Sequence, residues 1–120
     1  MKAACMREFD QAKLVVMSAA VADFKPKSQV NVKIRKEQAD MELELVPTDD
    51  ILAGMGARKR SGQTIVGFAL ETDDELARAA DKLKRKNLDF LVLNSLRDAG
   101  AGFSFDTNKI TSCPSSGEWW

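Results

Sequence analysis

Ser18-Ala-Ala-Val-Ala-Asp-Phe-Lys-Pro-Lys27 follows the apolar run Leu14 to Met17 and leads, a few residues on, into Lys33-Ile-Arg-Lys36. Apolar residues give way to small ones, then to a single carboxylate, then to a basic loop. This is the pattern of a buried strand that delivers a charged group to the edge of a sheet. Ala19, Ala20 and Ala22 leave room for a ligand to approach the backbone, and Asp23 is expected where the strand runs out. Ligands of open α/β sheets bind beyond the carboxyl ends of the strands.

On either side, the chain alternates between elements. Met1, Cys5, Phe9 and Ala12 share a helical face, and a strand over Lys13 to Ser18 follows. Val30, Val32 and Ile34 alternate with Asn31, Lys33 and Arg35, and are answered by Met41, Leu43 and Leu45 alternating with Glu42 and Glu44. The alternation predicts a two-stranded hairpin whose solvated face pairs Lys and Arg with Glu. Thr48 or Asp49 can cap a helix that buries Ile51, Leu52 and Met55 and ends at Gly62. Thr64 to Leu70 reads as a central strand. Thr72-Asp-Asp-Glu75 reads as a capping box opening a helix that buries Leu76, Ala80 and Leu83 and ends at Asn87. Asp89 to Asn94 is a further buried strand. Phe103, Phe105 and Ile110 suggest a closing hairpin turned at residues 106–109, and the tail beyond it has no periodicity. Strands alternating with helices imply a mostly parallel sheet with helices on its faces and an inserted hairpin.

Bulk composition narrows the functions. The 120 residues suffice for one modest core, and 18 basic residues balance 18 acidic ones. That balance argues against general nucleic-acid or membrane-surface binding. No apolar run reaches membrane-spanning length, and Lys2, Arg7, Glu8 and Asp10 rule out a signal-peptide pattern. Cys5 and Cys113 read as free thiols of a cytoplasmic protein. Without a histidine, chemistry rests on carboxylates, lysines and backbone groups. The glycine fingerprint of dinucleotide folds and the phosphate-binding loop with its lysine are both absent, which disfavours an NAD-type reading. What remains is Asp23, able to hold Mg²⁺ or ribose hydroxyls, and three lysines suited to phosphates: Lys33, Lys82 and Lys86. On the residues alone, a solvated surface charge is the favoured reading of each; Lys33 in particular can be a cross-strand partner of the hairpin glutamates.

Six stretches carry a resemblance in order over nearly all of residues 1–111: Ala19-Ala-Val-Ala-Asp-Phe24, Lys33-Ile-Arg-Lys36, Asp50-Ile-Leu52, Gly67-Phe-Ala-Leu-Glu-Thr72, Lys86-Asn-Leu-Asp89 and Gly102-Phe-Ser-Phe-Asp-Thr-Asn-Lys109. Together they resemble bacterial phosphopantothenoylcysteine synthetase. The resemblance implies a Rossmann-like three-layer α/β/α sandwich with a mostly parallel sheet and a β-hairpin flap. Residues 1–111 would form the CTP-binding core and 112–120 an irregular tail. It also implies a magnesium-assisted ligase of coenzyme A biosynthesis that joins 4′-phosphopantothenate to L-cysteine through an acyl-cytidylate, acting as a cytoplasmic homodimer. Lys33 would be the catalytic residue, reaching the triphosphate and stabilising the departing pyrophosphate. Asp23 would bind ribose or the metal. Met17, Ser18, Ala19, Asp49, Asp50, Ile51 and Leu52 would lend contacts to the nucleotide, Phe68 would pack on the cytosine, and Lys82 and Lys86 would hold phosphates.

The sequence departs from the family pattern in four places. The Gly- and Ser-rich first portion, with an asparagine that contacts the intermediate, has no counterpart, nor has the flavin-dependent decarboxylase to which many members are fused. Asp49 stands where the family has proline, and Asn94-Ser95 where it has Asn-Asp. The tail from Ser112 replaces a C-terminal helix. These departures leave a second expectation, a non-catalytic nucleotide-binding or dimerisation module that works with a partner chain carrying the missing half.

Overall fold

The computed structural model describes residues 1–33, 42–71, 74–95 and 109–117. They form two compact units: residues 1–19 with 51–120, and residues 20–50.

The larger unit is built on a four-stranded sheet. Helix α1 (Lys2–Phe9) leads into β1 (Leu14–Met17); α2 (Ile51–Arg58) precedes β4 (Thr64–Glu71); α3 (Glu75–Arg85) connects β4 to β5 (Phe90–Ser95); β6 (Ile110–Pro114) closes the sheet. The strand order is β1-β4-β5-β6, the first two pairings parallel and the last antiparallel. This is the expected Rossmann-like α/β class with a mostly parallel sheet.

The two parallel crossovers step across the sheet in the same direction. Right-handed connections therefore place α2 and α3 on one face. Burial agrees: Phe9 of α1, Ile51, Leu52 and Met55 of α2, and Ala79 and Leu83 of α3 form one cluster with Ile65, Ala69, Leu91 and Leu93 of the sheet. Gly67 lies under this cluster, where a β-carbon would come within 2.8 Å of Leu88 and 3.1 Å of Leu52. Residues alternating with the buried ones, such as Leu14, Val16, Leu70 and Phe90, are exposed.

Polar contacts fix the lower edge. The Gln63 amide donates to the carbonyls of Phe9 and Ala12, at 2.8 Å each, tying the end of α1 to the start of β4. Asp89 accepts from the Ile65 N–H at 2.7 Å and from Lys59 at 3.0 Å, while its own N–H donates to the Ile65 carbonyl.

The smaller unit is held by β2 (Phe24–Pro26) paired antiparallel with β3 (Leu45–Pro47). The Thr48 N–H donates to the Asp23 carbonyl at 2.8 Å, and the Thr48 hydroxyl to the Ala22 carbonyl at 2.5 Å. The Lys27 N–H extends the pairing by donating to Glu44, and the two side chains form an exposed ion pair at 2.7 Å.

Five expectations are corrected. The antiparallel pair shares only Leu45 with the segments whose alternation suggested it: residues 30–33 and 42–44 are not strand, and the expected turn falls in residues outside the description. Asp23 opens β2, whereas the first parallel strand ends six residues earlier at Met17. Helix α3 starts at Glu75 with Asp74 as its N-cap, two residues after the cap expected at Thr72, which lies outside the described residues. The buried face of α3 is Ala79 and Leu83, with Leu76 exposed. Finally, residues 112–114 belong to β6, and Cys113 is buried against the core, so the irregular tail begins later than Ser112. The expected hairpin through Phe103 and Phe105 lies outside the described residues.

Candidate nucleotide site at the carboxyl edge of the sheet

Three parallel strands carry Met17, Glu71 and Ser95 to the same edge of the larger unit. Strand β1 is the shortest of them. Its pairing ends at Met17 opposite Gly67, and Ser18 and Ala19 leave the edge as exposed backbone. Carbonyls along a strand point alternately to its two neighbours. The Ile65 carbonyl serves β5 by accepting from the Asp89 N–H, so the Phe68 carbonyl is turned towards β1, beyond where β1 stops. The Lys82 ammonium fills that position, donating to the Phe68 oxygen at 3.2 Å. Met17, Phe68 and Lys82 thus converge on one corner, and a fixed cation stands where β1 ends beside β4.

Leu52 contributes to the same corner from below, packed over Gly67. Ile51 and Leu52 are buried, so only their main chain can face a ligand. A helix leaves its first amides without intrahelical partners, which suits them to anions. Asp49 and Asp50 immediately precede this helix and are exposed. Glu75 lies in the first turn of α3, where it accepts from the Ser95 hydroxyl at 2.6 Å. That carboxylate matches the positive end of α3 with the chain's own charge. Sequence reasoning passed over the Glu75–Ser95 pair; its signal is a hydroxyl at the last position of a buried apolar run.

Lys86 is the C-cap of α3, at the helix end away from the carboxyl edge. Its carbonyl lies so close to α2 that a β-carbon on Gly56 would come within 1.8 Å of it. Lys82 and Lys86 share a helix flank, as their spacing implied, but only Lys82 is placed at the end of β1. In the smaller unit, Asp23 and Lys33 are both exposed, Asp23 next to β2 and Lys33 in irregular chain. An open hollow in that unit is lined by Ser28, Glu42, Leu43 and Glu44; its two carboxylates do not suit a triphosphate. Among the described residues no group of three His, Cys, Asp or Glu side chains could hold a metal. Such a donor set offers a magnesium ion single carboxylates and no cage of protein ligands. Among the same residues, no helix is long and apolar enough to cross a membrane.

Comparison with known proteins agrees with this architecture. The chain is 50% identical over 111 residues to a protein named cysteine/cysteine sulfinic acid decarboxylase, from an unknown prokaryotic organism. It is 44% identical over 111 residues to the coenzyme A biosynthesis bifunctional protein CoaBC of Bacillus subtilis. Both matches cover 92% of this chain but only 31% and 27% of the relatives' lengths. Among solved structures, the C-terminal domain of a CoaBC superposes with a TM-score of 0.75 at 30% identity, covering 99% of this chain and 49% of that one. The family model for the C-terminal domain of DNA/pantothenate metabolism flavoproteins matches residues 1–119, and the chain belongs to that family.

Proposed function

We propose that this chain is the CTP-binding part of a ligase that joins 4′-phosphopantothenate to L-cysteine in coenzyme A biosynthesis. The observation that carries the reading is the Lys82 ammonium held by the Phe68 carbonyl beside the end of β1. A cation fixed where a parallel strand ends at the carboxyl edge of the sheet is an arrangement suited to phosphate groups. Membership of the family and the 44% identity to a coenzyme A biosynthesis protein supply the substrate class.

In this reading Met17, Ser18, Ala19, Asp49, Asp50, Ile51 and Leu52 hold the nucleotide largely through the main chain. Phe68 packs on the cytosine, Lys82 and Lys86 bind phosphates, and Asp23 binds the ribose or a magnesium ion that CTP brings. Lys33 neutralises charge on the pyrophosphate as the acyl-cytidylate forms; the cysteine amine then attacks the acyl carbon and CMP leaves. Magnesium supplies further charge neutralisation on the phosphates. The enzyme acts as a homodimer in the cytoplasm.

A second reading is a non-catalytic nucleotide-binding or dimerisation module that needs a partner chain. Ligation separates the two. The chain is assayed with CTP, 4′-phosphopantothenate and cysteine, alone and mixed with a polypeptide carrying the rest of the homologous domain. CTP-dependent product in the mixture supports the ligase. No product in either, with nucleotide binding intact, supports the module.

A further inference from the structure

Helix α3 is fastened to the sheet by two polar side chains on one flank. Glu75, in its first turn, accepts from the Ser95 hydroxyl of β5 at 2.6 Å. Lys82, further along the helix, donates to the Phe68 carbonyl of β4 at 3.2 Å. Positions 75 and 82 are about two helical turns apart, so both lie on the same flank. The spacing matches the sheet. Phe68 lies beside Val92, and Glu71 beside Ser95, so the two anchor points are one short step apart along the strands. Two helical turns and three strand residues each span about 10 Å.

Between the anchors the apolar contact is thin. The buried residues of α3 are Ala79 and Leu83, and Leu76 is exposed. Ala79 lets the helix lie close. A methyl group does little to stop a helix sliding or rolling, because apolar attraction has no direction. Hydrogen bonds do have one. Of the two anchors, the Glu75–Ser95 bond is the shorter, and its acceptor is a carboxylate, the stronger kind of acceptor. The same carboxylate sits at the positive end of the helix, which holds it there.

We propose that Glu75 and Ser95 are positioning residues: their hydrogen bond sets where α3 lies on the sheet and thereby holds Lys82 at the end of β1. That the cation so held meets phosphate rests on the nucleotide reading.

The test reads the position of Lys82 without any nucleotide, from its rate of acetylation by acetic anhydride, followed lysine by lysine with mass spectrometry. A side chain held against the sheet meets the reagent less often than one that swings in solvent. Ser95→Ala and Glu75→Ala are expected to raise the Lys82 rate at least threefold and to leave the exposed Lys84 unchanged. Ser95→Thr, which keeps the hydroxyl, retains the slow rate. Asp89→Ala, which loosens the start of β5 instead, retains it too, and so separates a general loss of stability from a shift of α3. As a second measurement, Ser95→Ala weakens Mg-CTP binding about fivefold in calorimetry and has no further effect in a chain already carrying Lys82→Met, as coupled residues require. Unchanged labelling of Lys82 in both alanine variants, equal acceleration by Asp89→Ala, or additive losses in the double variant would overturn the proposal. Absence of Mg-CTP binding by the unaltered chain would contradict the nucleotide reading alone, and the labelling would still decide what holds Lys82.

Discussion

The Lys82 ammonium satisfies the Phe68 carbonyl, which the sheet leaves open because β1 stops at Met17 before the position that would have paired with it. The cation is therefore held in place before any ligand arrives. Lys82→Met is expected to weaken Mg-CTP binding about tenfold, roughly 1.4 kcal/mol, measured by calorimetry. The urea midpoint moves little, since water can reach a carbonyl at the strand edge.

Lys33 sits in irregular, exposed chain outside β2 and β3. Lys33→Gln is expected to abolish pyrophosphate release in a complemented enzyme while leaving the circular dichroism unchanged. Release at the normal rate would make Lys33 a surface charge.

Gly56 is required by the close approach of two helices. A β-carbon there meets the Lys86 main-chain oxygen, which cannot swing aside, and the Gly56 carbonyl accepts from the Asn87 amide at 2.8 Å. Gly56→Ala is expected to cost about 3 kcal/mol, the upper range for overpacking, read from denaturant unfolding. Gly54→Ala, which meets only the terminal methyl of Met6, costs clearly less.

The parallel core was legible because its signals are local. Thr64 to Leu70 and Asp89 to Asn94 are apolar runs of strand length, and Asn87 takes the left-handed backbone that ends α3. The flap pairing was not, because β2 and β3 are three residues each and almost wholly exposed, so no alternation marks them. Main-chain bonds from Thr48 and Lys27 set their register. A strand at Ile110 was expected, but the extent of β6 was missed because Thr111, Ser112 and Pro114 look like loop; a sheet edge tolerates them. In α3, small Ala79 took the buried place expected of Leu76, letting the helix lie close on the sheet. Lys82 and Lys86 were pairable by spacing, but only tertiary structure separates the strand-end lysine from the capping one.

Asp89 ties the start of β5 to β4 and α2. Asp89→Ala leaves the buried Ile65 N–H and the Lys59 ammonium without this acceptor and is expected to cost about 2 kcal/mol. Asp89→Asn, which keeps an oxygen for Ile65, restores part of the loss in the same unfolding measurement.

Burial pushes the Cys113 thiol above its ordinary value of 9.0. The folded state thus holds this proton more tightly than the unfolded one. The associated stability is fully present below the ordinary thiol value and is lost as pH rises through the folded one. Unfolding followed across that alkaline range should show a decline that Cys113→Ala reduces. At neutral pH, Cys5, which is half-buried, should be alkylated before Cys113.

Calorimetric titration of the purified chain with Mg-CTP, and with Mg-ATP as comparison, addresses the nucleotide site itself. Saturable binding that favours CTP by tenfold or more is expected. Absence of binding to either nucleotide, or equal binding of both that survives Lys82→Met, would contradict the assignment of a cytidine nucleotide to the carboxyl edge of this sheet.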